Sequence, residues 1–194
     1  MKKIAVEQAR SRFEKAQSAI LAMEQSKDFS AAETAWSDFL LATSAVYSKL
    51  EQGAKGSGSS EGWFGRKKHD RRTDPLLSYI HHARNADEHG IEPVTERKEG
   101  SLKIGGGGAY RFDGTVGEQT DLTVTHLAGP PPIVKIELPH VKLVTVKDSR
   151  YGDNFDPPTK HLGEEVRDQS PLNVAKLALS YLESLLAEAA ELTE

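Results

Sequence analysis

Between Asp74 and Gly90 the chain gathers His81, His82, Arg84, Asn85, Glu88 and His89, a dense set of proton-handling and anion-binding groups. At about 100° per residue in a helix, His81, Asn85 and His89 follow one another at four-residue steps along one broad face. Arg84 lies one row over, in register with Glu88. An imidazole takes or gives a proton near neutral pH, an amide orients it, and a guanidinium holds an oxyanion through a planar fork of donors. Such a patch is equipped to hold a phosphate group and to move a proton beside it. The same residues also admit a purely structural reading. Arg84 and Glu88 then form a helical ion pair, and His89 sits at a helix C-terminus, where the dipole favours it.

The helix that carries them is bounded on both sides. Asp74-Pro75 supplies a capping carboxylate followed by proline at the first helical position, and His89-Gly90 with Pro93 beyond supplies the stop. Upstream, Phe13, Ala16, Ile20 and Met23 recur at helical spacing within an amphipathic helix from about Lys3 to Gln25. Ser30-Ala31-Ala32-Glu33 reads as a capping box opening a second helix, whose face is Trp36, Phe39, Leu40, Thr43, Tyr47 and Leu50. The short connection predicts antiparallel packing of these two. Ser170-Pro171 opens a last helix with Val174, Leu177, Tyr181, Leu182 and Leu185 toward the core.

Gly53 to Gly62 is rich in glycine and serine and reads as a loop. Trp63-Phe64 after it fits a lid, a partner contact or a plug closing the bundle end, the plug being the commonest of the three. Arg66-Lys67-Lys68-His69-Asp70-Arg71-Arg72 then sets five basic residues against one acid, a local charge of +4. This run is either a solvated loop or a collector of phosphate backbone, with Arg66, Lys67, Lys68, Arg71 and Arg72 as RNA-binding candidates.

The middle of the chain changes period. Leu122-Thr123-Val124-Thr125, the stretch from Ile133 to Leu138 and the stretch from Val141 to Val146 are β-branched and roughly alternating, as strands of a small antiparallel sheet. Gly105 to Gly108 lacks the lysine and hydroxyl of a phosphate-binding loop and reads as a hairpin turn between Leu102-Lys103-Ile104 and Tyr110-Arg111-Phe112. Tyr151 to Gly163 reads as loop, and the spacing of Asp153, Asp156 and His161 within it matches no calcium or zinc pattern. No metal site and no cofactor are expected. The resulting fold class is α+β: an antiparallel bundle of about four helices over 1–92 and 168–194, a β-rich insertion over 100–148 and a loop over 149–167.

With 194 residues and 37% hydrophobic residues the chain can bury a sizeable core. A net charge of −4 argues against a general nucleic-acid-coating protein, and the absence of cysteine excludes disulfides, thiol catalysis and cysteine-ligated metals. The first residues have no apolar run of signal-peptide length and no membrane span follows, so a cytoplasmic protein is expected.

Arg84-Asn85-Ala86-Asp87-Glu88-His89 resembles the Arg-polar-x-x-x-His signature of HEPN domains, small helical bundles that often act as metal-independent ribonucleases. The resemblance covers 1–92 and the C-terminal helix and leaves out the β-rich middle. It implies RNA cleavage with Arg84 stabilising charge on the phosphorane, Asn85 orienting the histidine or the phosphate, and His89 exchanging a proton with the ribose 2′-hydroxyl or the leaving oxygen. His81, His82 and Glu88 are supporting candidates, and a 2′,3′-cyclic phosphate is the implied product. HEPN domains generally pair, so a homodimer with a composite site is implied, with RNA as substrate and an antitoxin or other protein as partner in a bacterial defence or toxin–antitoxin setting. Two alternatives stay open. One is a non-catalytic HEPN-like module binding RNA, nucleotide or protein, with the β insertion as partner platform. The other is an inhibitor-type or structural partner that makes contact through Trp63-Phe64.

Overall fold

The computed structural model describes residues 1–115, 121–147 and 152–193. Residues 116–120 and 148 of the expected insertion, and 149–151 of the loop after it, lie outside the described residues, as does the final residue of the last helix's expected span. The fold is mixed α and β. The chain divides into a helical unit, Met1–Arg97 with Val141–Glu194, and a smaller unit, Lys98–His140.

In the helical unit, α1 (Lys3–Gln25) and α2 (Phe29–Ala54) pack antiparallel, the Lys2 amide near the start of one donating to the Gly53 carbonyl near the end of the other at 3.0 Å. Alanines on the buried face of α1 let the backbones approach closely. At Gly53 an added Cβ would lie 2.4 Å from Ala5 Cβ, so this crossing requires glycine. The cap of α2 is Asp28, whose Oδ1 accepts the Ala31 amide at 2.8 Å, rather than Ser30. Ser30 lies inside the helix, and Glu33 turns outward to pair with Arg97 at 2.6 Å. Aspartate two residues earlier has extended backbone and reaches the same donors, which is why it displaces the serine.

The stretch from Gly53 to Gly62 is a loop only over the turn at 55–57, and the basic run is helical. α2 continues through Ala54, and α3 (Gly58–Thr73) carries Trp63, Phe64 and the whole basic run, giving five helices among the described residues where about four were expected. Trp63 and Phe64 are buried in the core, closing the bundle as a plug and leaving no aromatic loop for a partner. Their burial, with Trp63 Nε1 donating to Glu188 Oε2 at 2.8 Å, overrides the poor helix propensity of the glycines and serines. α4 (Pro75–His89) and α5 (Pro171–Glu191) complete the unit. The core centres on Trp36, Phe39, Leu40, Leu50, Leu76, Tyr79, Leu182 and Leu185, all within 1% of complete burial.

Short strands finish this unit. β1 (Thr95–Lys98) pairs with β6 (His140–Leu143). β7 (Val146–Lys147) runs antiparallel to β8 (Asn154–Phe155), and β9 (Lys160–His161) to β10 (Glu164–Glu165) through a two-residue turn. In that turn Leu162 and Gly163 both have positive φ, 50° and 89°. Two sequence expectations change here. Val141 to Val146 is two strands rather than one, because Val144 breaks the ladder and its carbonyl instead accepts the Tyr79 hydroxyl at 2.8 Å. Val141, Leu143 and Val146 are accordingly buried in the helical unit.

Among its described residues the smaller unit has two separate ladders and no common sheet. β2 (Ser101–Gly105) pairs with β5 (Ile133–Glu137), and β3 (Ala109–Thr115) pairs with β4 (Asp121–Ala128), both antiparallel. Gly105↔Ile133 ends one ladder and Ala109↔Ala128 begins the next, so the unit is a single long ribbon with a break. The glycines from 106 to 108 interrupt the ribbon instead of reversing it. Opposite them stand Pro130, Pro131 and Pro132, which have no N–H to donate to a ladder. β5 is exposed along its whole length, including Ile133, Val134 and Ile136.

Candidate functional site

α4 is fixed at both ends. Asp74 Oδ1 accepts the Leu77 amide at 2.9 Å with Pro75 at the first helical position, and the Gly90 amide closes the other end on the Ala86 carbonyl at 2.7 Å. A Cβ at Gly90 would stand 2.5 Å from that carbonyl oxygen. Asp74 also ties the helix start to the β9–β10 turn. His161 Nδ1 lies 3.0 Å from its Oδ1, and the Leu162 amide donates to its Oδ2 at 2.7 Å. Burial alone would raise the Asp74 carboxyl, but the hydrogen bonds from His161, Leu162 and Leu77 outweigh it and hold the pKa below the ordinary value.

Leu76, Leu77, Tyr79, Ile80 and Ala83 bury one side of α4 and leave the polar residues around the rest. Arg84 is half-buried. Its guanidinium pairs with the Glu88 carboxylate one turn on, and its Nη1 donates to Asn85 Oδ1 at 3.3 Å. His89, at the last turn, has a side chain 68% exposed, with Nε2 3.9 Å from Glu88 Oε2. Arg84, Asn85, Glu88 and His89 thus form one chain of polar contacts along the helix. Arg84 and His89 nevertheless open onto different depressions, as a five-residue step of about 140° requires. Arg84 lines a cleft with Thr43, Tyr47, Arg71 and His81, whereas His89 lines a groove with Ile91, Pro93, Thr145 and Lys147. His82 lies elsewhere, stacked on Phe155 with ring centres 3.5 Å apart and planes 8° from parallel. His81 meets His82 edge-on at 5.1 Å.

The basic residues of α3 do not form one uniform stripe. Lys67 pairs with Glu188 at 2.8 Å and Lys68 with Glu51 at 3.0 Å, while Arg72 Nε donates to the Lys68 carbonyl at 3.3 Å. Burial would raise Glu188, but the hydrogen bonds from Lys67 and Trp63 hold it below the usual carboxylate range. Arg66 is exposed. Arg71 turns inward, its guanidinium carbon 4.6 Å from the centre of the Tyr47 ring.

Arg71, Thr43 and Tyr47 are cleft residues that the one-helix reading of the chemistry does not bring together. Thr43 and Tyr47 read as core positions of α2, and a signal lay in their spacing: two hydroxyl-bearing side chains one turn apart on an otherwise apolar face. Burial pushes the Tyr47 phenol far above its ordinary pKa, so it stays protonated and able to donate. Among the described residues no group of three or more His, Asp or Glu side chains is placed to hold a metal ion. Asp156 accepts the Thr145 hydroxyl at 2.6 Å, and His161 is engaged by Asp74. No helix among the described residues is long and apolar enough to cross a membrane.

Compared with known protein families, with curated proteins and with solved structures, the chain has no significant match.

Proposed function

We propose that this protein is a HEPN-like, metal-independent endoribonuclease acting through Arg84, Asn85 and His89. One observation carries the reading: the guanidinium of Arg84 is held in place by Glu88 and Asn85, while His89, at the end of the same rigid helix, keeps an imidazole exposed to solvent. A positioned cation and an accessible proton carrier are the two groups that internal transesterification of RNA needs. Arg84 stabilises the negative charge that develops on the phosphorus-bound oxygens. His89 exchanges a proton with the ribose 2′-hydroxyl or the leaving 5′-oxygen. The 2′-oxygen bonds to phosphorus as the P–O5′ bond breaks, and the product ends in a 2′,3′-cyclic phosphate.

Because Arg84 and His89 of one chain open onto different depressions, the reading takes the site to be composite, with two copies contributing their α4 helices in a homodimer. The same separation favours a second reading, a non-catalytic HEPN-like module that binds RNA on this surface. Incubating wild type, Arg84→Ala and His89→Ala with RNA in the presence of a chelator decides between them. New ends carrying cyclic phosphate with wild type alone support the nuclease; RNA bound but uncut by all three supports the binding module.

A further inference from the structure

We infer that the groove beside His89 is a seat for one base of single-stranded RNA, with Ile91 and Pro93 against the base and Lys147 on a neighbouring phosphate of the strand. The inference rests on the ribonuclease reading for the role of His89 and names where that substrate is held.

Two segments of the helical unit build the groove. Gly90 ends α4 in extended backbone, φ −92° and ψ 173°, and leads the chain out through Ile91, Glu92 and Pro93. Thr145 to Lys147 forms the facing wall. Val94 and Val146, 5% and 3% exposed, root the two walls in the core, and the Val144 amide donates to the Val94 carbonyl at 3.5 Å between them. Asp156 holds the Thr145 hydroxyl, and Tyr79 holds the Val144 carbonyl. The walls are therefore fixed before a ligand arrives, which spares the ordering cost of binding. Between them lie about 370 Å³, inside the range of sites that take small molecules and ample for one nucleoside.

The lining suits a base better than a bare phosphate. Ile91 is wholly exposed and Pro93 is exposed too, so two apolar flanks stand in solvent where the face of an unstacked base covers them. Glu92 puts a carboxylate on the rim, which repels an isolated anion but accepts from the amino edge of a base. The Ile91 and Glu92 amides meet no acceptor among the described residues and supply donors to the same edge. Lys147 is exposed and makes no ion pair among the described residues, which leaves its ammonium for a phosphate of the strand.

His89 fixes which base is held. Its exposed imidazole borders this same groove. In the ribonuclease reading the imidazole meets the ribose 2′-hydroxyl or the leaving 5′-oxygen, so the base on that ribose falls into the depression that His89 borders. A base seated there has left both its stack and its pair. The substrate is thus single-stranded at the cut, and the seated base is the one that is discriminated.

The test uses the full chain, a single-stranded oligoribonucleotide of mixed sequence, the same sequence annealed to its complement, and chelator throughout. Ile91→Asp and Lys147→Ala alter exposed side chains and leave the fold intact, and Lys3→Ala removes an exposed charge on α1 as a control. We expect wild type to cut the single strand with a preference for one base beside the cut and to spare the duplex. Ile91→Asp should raise KM about threefold or more and flatten that preference, and Lys147→Ala should raise KM to a similar extent while keeping it, with kcat within about twofold in both. Lys3→Ala should behave as wild type. Cleavage by wild type with KM and base preference unchanged in both groove variants overturns the inference and leaves the nuclease reading standing. Absence of cleavage by wild type ends the nuclease reading, and fluorescence polarisation of the uncut single strand then decides the groove separately. Binding weakened about threefold or more by both groove variants upholds the inference. Binding that neither variant changes, or no binding at all, overturns it.

Discussion

His161 Nδ1 lies 3.0 Å from Asp74 Oδ1, joining residues 87 positions apart through a carboxylate that also caps α4. The depressed pKa of Asp74 gives the direction of its pH effect. A carboxyl whose folded pKa is lower than its unfolded one stabilises the fold fully above the unfolded value, ordinarily 3.8, and that contribution fades as the pH falls through the folded value. Asp74→Ala should cost about 3 kcal/mol at neutral pH, from the lost cap and the lost bonds to the β9–β10 turn. Denaturant titrations at neutral pH and at low pH check this: the gap between wild type and variant should narrow in acid. An equal gap at both would sink the assignment.

Gly53→Ala should destabilise the protein although alanine is the better helix former. The new Cβ would overlap Ala5 Cβ, and forcing α1 away from α2 costs about 1–3 kcal/mol, more than the roughly 1 kcal/mol gained in propensity. A lower thermal midpoint confirms the close crossing, whereas a higher one disproves it.

The three phenols of Tyr47, Tyr79 and Tyr181 are all raised by burial, that of Tyr181 to about 12. Each favours the fold fully below the ordinary phenol value of 10.0 and loses that contribution as the pH climbs toward the folded value. Alkaline unfolding should therefore accompany tyrosinate absorbance above about pH 10. Tyr79→Phe removes the donor to the Val144 carbonyl and should cost about 1–2 kcal/mol at neutral pH. Tyrosine absorbance titrating in full well before the fold is lost would contradict this.

His89→Ala should lower any RNA cleavage about 10²–10⁴-fold with little change in thermal midpoint, since the side chain is mostly solvent-exposed. Arg84→Ala should abolish cleavage and also destabilise modestly, because it strips Glu88 and Asn85 of their partner. Single-turnover cleavage alongside calorimetry separates the two effects. A His89→Ala protein as active as wild type would remove the histidine from the mechanism.

The limits of α4 were legible in the sequence because both are set locally, by Asp74-Pro75 and by Gly90. α3 was not legible, since its glycines and serines argue locally for a loop while the burial of Trp63 and Phe64 against the bundle is a tertiary effect. The strand segments of the smaller unit stood out by their β-branched pattern, but their partners did not. The glycines from 106 to 108 read as a reversal until the prolines opposite them are known. Arg84 and His81 could be placed on a shared face from spacing alone. Their convergence with Arg71 and Tyr47 could not, because it needs three helices in register.

β1 and β6 are hydrogen-bonded neighbours, so the chain leaves for the ribbon and returns from it at adjacent backbone positions. A segment whose entry and exit are already held together adds almost no loop-closure entropy to the fold that hosts it. Lengthening, exchanging or deleting the ribbon between Lys98 and His140 would therefore ask little chain entropy of the helices that host it.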